Sequence, residues 1–189
     1  MNINLYCGDL VRLAAIDPEE SAAAVSRFSR DSEYSRLLDS YPCRLFTKEG
    51  TKKWIEKDLE KENVIAFAIR TLSDDRLIGD VGLGGFFWNH GDTYVGIGVG
   101  EREFWGKGYG SDAMRVVLRY AFTELNLRRV TLNVFEYNPR AIRAYEKLGF
   151  QQEGRVRKYL NREGRRWDLV YMGIMKEEWL SPKISHQNL

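Results

Sequence analysis

The residues with the clearest chemical potential form a glycine-rich segment in mid-chain, Gly106-Lys107-Gly108-Tyr109-Gly110-Ser111. Alternating glycines allow positive φ angles and let a ligand come close to the backbone. A helix is expected to follow directly, so successive amide N–H groups and the positive end of that helix would face one concavity. Such a concavity suits a diphosphate, although an ordinary glycine-rich connection has the same composition.

Two familiar nucleotide-binding motifs do not fit this segment. A Walker loop needs four residues between its first glycine and the Gly-Lys pair, whereas five residues separate Gly100 from Gly106, and Gly108 follows the lysine. A dinucleotide-binding fingerprint should open the first unit of a parallel sheet and be followed by an acidic residue. Here the segment follows an antiparallel meander, so we expect an anion site of another kind.

The elements that position this segment are predicted from periodicity and turn residues. A first strand is predicted over residues 11–15, and Asp17, Pro18 and Glu20 predict a helix start with a complete capping box. The polar stretch at 29–46 shows no clear pattern. The other elements are predicted as helices over 48–61, 111–125 and 139–148, strands over 64–70, 77–88, 93–100 and 129–135, and a hairpin that turns at 161–164.

This order of elements predicts an α/β (α+β) fold. Its core would be a mixed, mostly antiparallel central sheet of about seven strands with helices on both faces. Residues 93–134 read as strand, loop, helix and strand, so their crossover should be right-handed. The 189 residues suit a single domain over 1–189 with its core at about 11–179.

Composition excludes several classes of protein. Hydrophobic residues make up 43% and charged residues 30% of the chain, and no apolar run could span a membrane. The start of the chain lacks the pattern of a signal peptide, so we expect cytoplasmic residence. Cys7 and Cys43 are expected to be free thiols. Because no Cys or His pair has metal-ligand spacing, we expect no metal site.

Charge is concentrated near the C-terminus. The net charge of +2 is too small to favour a nucleic-acid partner. The basic side chains of the terminal hairpin are expected mainly to form a solvated strand pair, and a homodimer surface or a guide for an acidic substrate are the alternatives. These side chains belong to Arg155, Arg157, Lys158, Arg162, Arg165 and Arg166.

Two motifs resemble those of the GNAT superfamily of N-acetyltransferases. Phe104-Trp105-Gly106-Lys107-Gly108-Tyr109-Gly110-Ser111-Asp112-Ala113 is similar to the family's acetyl-CoA loop. Asn138-Pro139-Arg140-Ala141-Ile142-Arg143-Ala144-Tyr145-Glu146-Lys147-Leu148-Gly149-Phe150 is similar to the helix beside the pantetheine and thioester. The order of elements over about 11–179 also resembles that of the family. The sequence around Trp105 resembles the branch of ribosomal-protein and spermidine N-acetyltransferases.

The resemblance implies a GNAT-like fold and an acetyl-CoA-dependent N-acetyltransferase without a metal. The acceptor would be a primary amine of a protein N-terminus, a polyamine or another small molecule, and it would attack directly in a ternary complex. The resemblance places Tyr145 as the acid that protonates the departing thiolate, a role open to a hydroxyl with a pKa near 10. The implied acetyl-CoA contacts are Val99, Gly100, Glu101, Gly106, Lys107, Gly108, Tyr109, Gly110, Ser111, Asn138, Ala141 and Tyr145.

The acceptor side departs from the family pattern. Relatives of this branch often carry a glutamate that faces the acceptor cleft, and the matching position here is Tyr94. Glu33, Asp31 or, through a water, Glu101 could replace it, although each also fits an exposed surface carboxylate. We therefore predict Glu33 and Tyr94 on the substrate side. The alternative is a CoA-binding regulatory or sensor protein with a degenerate acceptor site.

Overall fold

The computed structural model describes residues 4–181, which form a seven-stranded sheet with helices on both faces. The strands and helices are, in chain order, β1 Val11–Ala14, α1 Pro18–Phe28, α2 Ser32–Leu38, α3 Lys48–Leu59, β2 Val64–Thr71, β3 Leu77–Phe87, β4 Asp92–Val99, α4 Tyr109–Arg119, β5 Arg129–Phe135, α5 Pro139–Lys147, β6 Gln151–Arg162, β7 Arg165–Met175 and α6 Lys176–Trp179.

The first helix begins at the predicted place, but only half of the predicted capping box forms. The side chain of Asp17 accepts a hydrogen bond from Glu20 N at 2.8 Å, and Pro18 occupies the first turn. The carboxylate of Glu20 does not return to the backbone. It binds the guanidinium of Arg70 on β2 at 2.7 Å, because the sheet offers a charged partner that the sequence pattern could not show.

The polar stretch at 29–46 contains a helix that periodicity did not reveal. The seven residues of α2 are too few for a clear helical repeat, which needs a window of about 11–18 residues. Its start is nevertheless well defined, since the side chain of Asp31 accepts hydrogen bonds from the amides of Glu33 and Tyr34. Tyr34 is the buried residue of α2 and fastens it to the sheet.

The helix after the glycine-rich segment, α4, ends in a wider turn. Its predicted apolar positions Ala113, Val116 and Val117 are buried against the sheet. Residues Tyr120–Glu124 then continue as a π-helical turn, in which Leu125 N donates to Tyr120 O at 3.1 Å. The predicted single helix over 111–125 is therefore confirmed in position, with a start two residues earlier and a change of pitch near its end.

The sheet has the strand order β1-β2-β3-β4-β5-β7-β6, and its neighbours are antiparallel except β4 and β5. This confirms the predicted mixed, mostly antiparallel sheet. The parallel pair is short: Asp92, Thr93 and Tyr94 of β4 pair with 129–131 of β5. Beyond this point the two strands are no longer paired, which leaves an opening within the sheet.

The two faces of the sheet are covered by different helices. Ile69 and Val81 belong to the main core cluster with the buried residues of α4. Ala68 lies on the opposite face, in a smaller cluster with Phe28 of α1 and Tyr34 of α2. This alternation follows from the two-residue period of a strand and assigns each face its own helices.

The C-terminal hairpin turns at Glu163 and Gly164, whose φ angles of 54° and 71° are those of a tight hairpin turn. Its basic side chains are partly used within the chain. The guanidinium of Arg162 donates to Arg36 O at 2.5 Å, and that of Arg155 pairs with Asp168 at 3.0 Å. The hairpin thereby holds the end of α2 in place.

Cys7 and Cys43 are both free thiols, as expected. None of the helices within residues 4–181 combines the length and the apolar character that a bilayer crossing needs. Over the same residues, His, Cys, Asp and Glu side chains form no cluster suited to a metal ion.

Candidate active site

A cleft of about 890 Å³ lies at the opening between β4 and β5. One side of the cleft is formed by the glycine-rich segment and α5, and the other by α2, β2 and β3. A ligand held by the loop on the first side could therefore meet a second molecule that enters from the other side.

The glycine-rich segment has the backbone form that its sequence predicted. Gly106 and Gly108 have φ angles of 72° and 94°, which few other residues adopt. The N–H of Asp112 bonds to Gly108 O at 2.9 Å. The first-turn amides of 109–111 precede that bond and have no acceptor within the helix, so they remain available to an anion.

Trp105 takes part in the site in a way that the sequence did not reveal. Its indole N–H donates to Val99 O at 2.7 Å, and the guanidinium of Arg140 lies 4.2 Å from its ring centre. These contacts hold the chain in place just before the glycine-rich segment and connect it to the start of α5.

The segment from Val99 to Glu101, implied above to contact acetyl-CoA, already has partners within the protein. Gly100 N donates to Ile78 O at 2.8 Å, so that amide completes the sheet. A Cβ at Gly100 would collide with the ring of Phe28, which explains the glycine by packing. The Glu101 carboxylate lies between the guanidinium groups of Arg27 and Arg76, and its side chain is 13% exposed.

Asp31 and Glu33, two candidate carboxylates, share one cation outside the cleft lining. Arg102 binds Asp31 at 2.5 Å and Glu33 at 2.7 Å. The hydrogen bond from Arg102 holds the pKa of the Asp31 carboxyl below its usual value. A carboxyl whose pKa is lowered in this way is a poor proton acceptor.

Asn138 caps α5 with its side-chain oxygen, and the cap leaves its side-chain amide donors unused. Its side-chain oxygen accepts from Ala141 N at 3.1 Å, as the sequence predicted. The amide nitrogen carries two further donors that the cap does not use. Asn138 and Ala141 both line the cleft.

Tyr145 lies in the cleft as a protonated hydroxyl. Its ring packs against Phe150 with a centroid distance of 5.9 Å. Burial raises the pKa of Tyr145 to about 12, because the phenolate would lose its hydration. Across the neutral pH range the group therefore carries a proton that it can donate.

The structure brings many, but not all, of the predicted site residues into the cleft. Glu33, Gly100, Glu101, Lys107 and Tyr109 are not among its lining residues, and Tyr109 instead packs edge-on against Phe104 at 4.9 Å. The predicted residues that line the cleft are Tyr94, Val99, Gly106, Gly108, Gly110, Ser111, Asn138, Ala141 and Tyr145.

The structure adds Asp80, a carboxylate of the cleft that sequence reasoning missed. Asp80 lies on β3, and its pKa is raised to about 6 by burial. The residue keeps solvent access through the cleft although protein surrounds it. The signal in the sequence was an acidic residue within the apolar and glycine-rich strand predicted over 77–88, where an uncompensated charge is costly.

Comparison with known proteins decides the family. The model of the acetyltransferase (GNAT) domain matches residues 11–151. The chain belongs to the GNAT family. This GNAT protein is 30% identical to the SPbeta prophage-derived uncharacterized N-acetyltransferase YokL of Bacillus subtilis (strain 168), over 95% of this chain and 97% of that one. It is 38% identical to the probable N-acetyltransferase YjcK of the same organism, over 80% and 84% of the two chains.

A solved structure confirms the fold of this GNAT protein. Spermidine N-acetyltransferase from Vibrio cholerae, in complex with CoA and spermine, aligns with a TM-score of 0.80. The alignment covers 90% of this chain and 98% of that chain at 23% identity. The predicted fold class is thus confirmed, and the domain match over residues 11–151 confirms the predicted family.

Proposed function

We propose that this GNAT protein transfers an acetyl group from acetyl-CoA to a primary amine in a ternary complex. The observation that carries the proposal is the combination, in one cleft, of an anion cradle at Gly106–Ser111 and the protonated hydroxyl of Tyr145. Family membership supports the same reaction. The predicted alternative, a CoA-binding sensor with a degenerate acceptor site, rests on Tyr94, which lines the cleft in place of the expected carboxylate.

The residues of the cleft fit acetyl-CoA. A Cβ at Gly106 would meet no heavy atom within 4 Å, so the cradle is open where a pyrophosphate would approach. Arg143 and Lys147 also line the cleft and add positive charge for phosphate groups. Asn138 can donate to the amides of a pantetheine arm. Acetyl-CoA would supply the activated acyl group.

Groups of the protein itself would bind the coenzyme, donate the proton and admit the acceptor. The cradle and the start of α4 hold negative charge at one end of the cleft. Tyr145 keeps a proton at its hydroxyl for the sulfur that departs, a contribution typically of about 10²–10⁴-fold. The opening between β4 and β5 admits the acceptor from the other side, so that acetyl donor and amine meet in one complex.

The direct test is release of free thiol from acetyl-CoA with a panel of primary amines. We expect turnover with at least one amine, and double-reciprocal plots that intersect, because both substrates must be bound together. Parallel lines would contradict the ternary complex. Tight binding of CoA without turnover of any amine would favour the sensor alternative.

A matched pair of glycine variants tests the cradle. Gly106 and Gly164 have φ angles of 72° and 71°, and a Cβ at either position would meet no neighbour. Gly106→Ala and Gly164→Ala should therefore lose a similar stability of about 1 kcal/mol, from backbone strain alone. Only Gly106→Ala should also lose affinity for acetyl-CoA, at least tenfold, since Gly106 lines the cleft and Gly164 does not.

Isothermal titration with acetyl-CoA and urea unfolding would measure the two effects separately. A wild-type affinity for acetyl-CoA in both variants would place the coenzyme away from this loop. A loss of affinity in Gly164→Ala of similar size would show that general destabilisation, and not the cradle, weakens binding.

A further inference from the structure

We propose that Asp80 binds the ammonium group of the acceptor and takes its proton, and that the acceptor carries one positive charge beside an apolar body. The inference rests on the proposed function and names the base and the substrate class for the same cleft. Three features of the structure support it: the position of Asp80 in the sheet, the charges around it and the walls of the acceptor side.

The register of the sheet directs Asp80 to the acceptor side. Asp80 of β3 lies directly opposite Gly98 of β4 and Ala68 of β2. Directly opposite residues project from the same face, with Cβ atoms about 4.5–5.5 Å apart. A Cβ at Gly98 would lie 2.8 Å from the hydroxyl oxygen of Tyr34 on α2. The carboxylate therefore projects from the face on which this hydroxyl lies, beside the opening of the sheet.

The charges around Asp80 leave it as the anion available to a cation. Asp58 of α3 also lines the cleft, but Lys61 binds its carboxylate at 2.5 Å. Arg140 of α5 faces the cleft with its guanidinium stacked on Trp105. Within residues 4–181, no Lys, Arg or His side chain forms an ion pair with Asp80. The acceptor side thus offers one unpaired negative charge, which matches one ammonium group.

The walls of the acceptor side favour an apolar substrate body. Leu37 and Leu38 of α2 and Val64 and Ala66 of β2 line this part of the cleft. Its floor is built from glycines, which leave width for a chain or a ring and offer no further side-chain charge. The floor glycines are Gly82, Gly84, Gly96 and Gly98. A second ammonium group, as in a polyamine, would enter this part of the cleft without an unpaired carboxylate to bind.

The proton chemistry is consistent with this position. Burial raises the pKa of the Asp80 carboxyl to about 6, so it is ionised at neutral pH yet more basic than an exposed carboxylate. Burial, followed by the charge of Asp80, raises the pKa of Tyr34, which remains a hydroxyl. Asp58 of α3, the other carboxylate of the cleft lining, is paired with Lys61.

The reaction balances with these groups. The ammonium gives one proton to Asp80, and the amine lone pair forms the C–N bond to the thioester carbon. The C–S bond then breaks with its electron pair on sulfur, which takes the proton of Tyr145. The second proton on nitrogen passes through solvent to the tyrosinate, and Asp80 releases its proton to solvent. The net products are the amide, the free thiol and one proton.

The test compares Asp80→Asn with Asp9→Asn, which removes an exposed carboxylate outside the cleft lining. At pH 7.5 we expect kcat/KM of Asp80→Asn to fall about a hundredfold, a value within the range of a general base, and acetyl-CoA affinity to stay within twofold. The wild-type kcat/KM should fall as the pH drops below about 6, where Asp80 becomes protonated. Asp80→Asn should lack this dependence, and Asp9→Asn should keep it.

Thermal stability distinguishes a functional Asp80 from a structural one. A carboxyl whose pKa is raised on folding destabilises the folded protein at pH above that pKa, and the penalty disappears at pH below the unfolded value. Asparagine should therefore raise the Tm at pH 8 by roughly 2–4 °C, because it removes the charge that burial disfavours. A fall in Tm would indicate that Asp80 serves packing.

A comparison of kcat/KM among amine substrates tests the charge and the apolar part of the acceptor. Phenethylamine and a peptide with an N-terminal leucine each present one ammonium beside an apolar group, and the better of the two identifies a small molecule or a protein N-terminus as the source. Both should exceed spermidine in kcat/KM by at least tenfold. A preference for spermidine, or full activity of Asp80→Asn, would overturn the inference and leave the proposed function intact. A wild-type protein inactive with every amine would overturn both.

Discussion

Tyr145→Phe is expected to lower kcat about 10²–10⁴-fold while acetyl-CoA affinity changes less than twofold. The substitution removes the hydroxyl that faces the cleft and keeps the ring that packs against Phe150. Without it, the thiolate must leave unprotonated or take its proton from water. Binding should persist, because the proposed cradle at Gly106–Ser111 would hold the coenzyme through main-chain groups.

The matched control is Tyr120→Phe, which removes the hydroxyl of another half-buried helical tyrosine. Tyr120 packs between Tyr6 and Phe67, away from the cleft lining. Steady-state rates and titration calorimetry should separate the two variants, with Tyr120→Phe close to wild type in both. Full activity of Tyr145→Phe would remove the tyrosine from the mechanism.

Asp112→Ala is expected to lower the free energy of unfolding by about 3 kcal/mol, because two main-chain donors lose their acceptor. Asp112 is 2% exposed and lies in the first turn of α4. Its carboxylate accepts from Leu10 N at 2.8 Å and Val11 N at 3.1 Å, and binds Arg115 at 2.8 Å. The side chain thereby joins the helix that carries the anion cradle to β1.

Urea unfolding should show this loss with an unchanged m-value, and the Tm should fall by roughly 6–12 °C. Asp112→Asn is the control, because it keeps one acceptor oxygen and should lose less than half as much. A Cβ at Gly8 would collide with the Asp112 carboxylate, so that glycine leaves space for the contact. A loss under 1 kcal/mol in Asp112→Ala would show that water replaces the carboxylate.

Local pattern was sufficient for most elements of the fold. The strand over Arg129–Phe135 has its predicted bounds, and Asn138 caps α5 as its position before Pro139 indicated. These features depend on residues close in sequence, through period and capping. The helix α2 was missed because its hydrophobic contact, Tyr34, is made with the sheet and leaves no repeat within seven residues.

The candidate site divides in the same way. The cradle was predictable, since glycines that precede a helix define a backbone shape by themselves. The ion-pair partners of each carboxylate were not, because they are distant in the chain: Glu101 contacts Arg27 and Arg76, and Asp31 contacts Arg102. The carboxylates that the sequence suggested as the general base are therefore found in ion pairs with arginines.

The sequence by itself determined the family, the mixed sheet and the loop that suits a diphosphate, because these follow from short motifs and from the order of elements. Only the tertiary structure decided which carboxylate lies where the acceptor would enter. Asp80 reaches the cleft through its register with Gly98, and its pKa is set by burial beneath α2. Register and burial are properties of the assembled sheet, so no local pattern could express them.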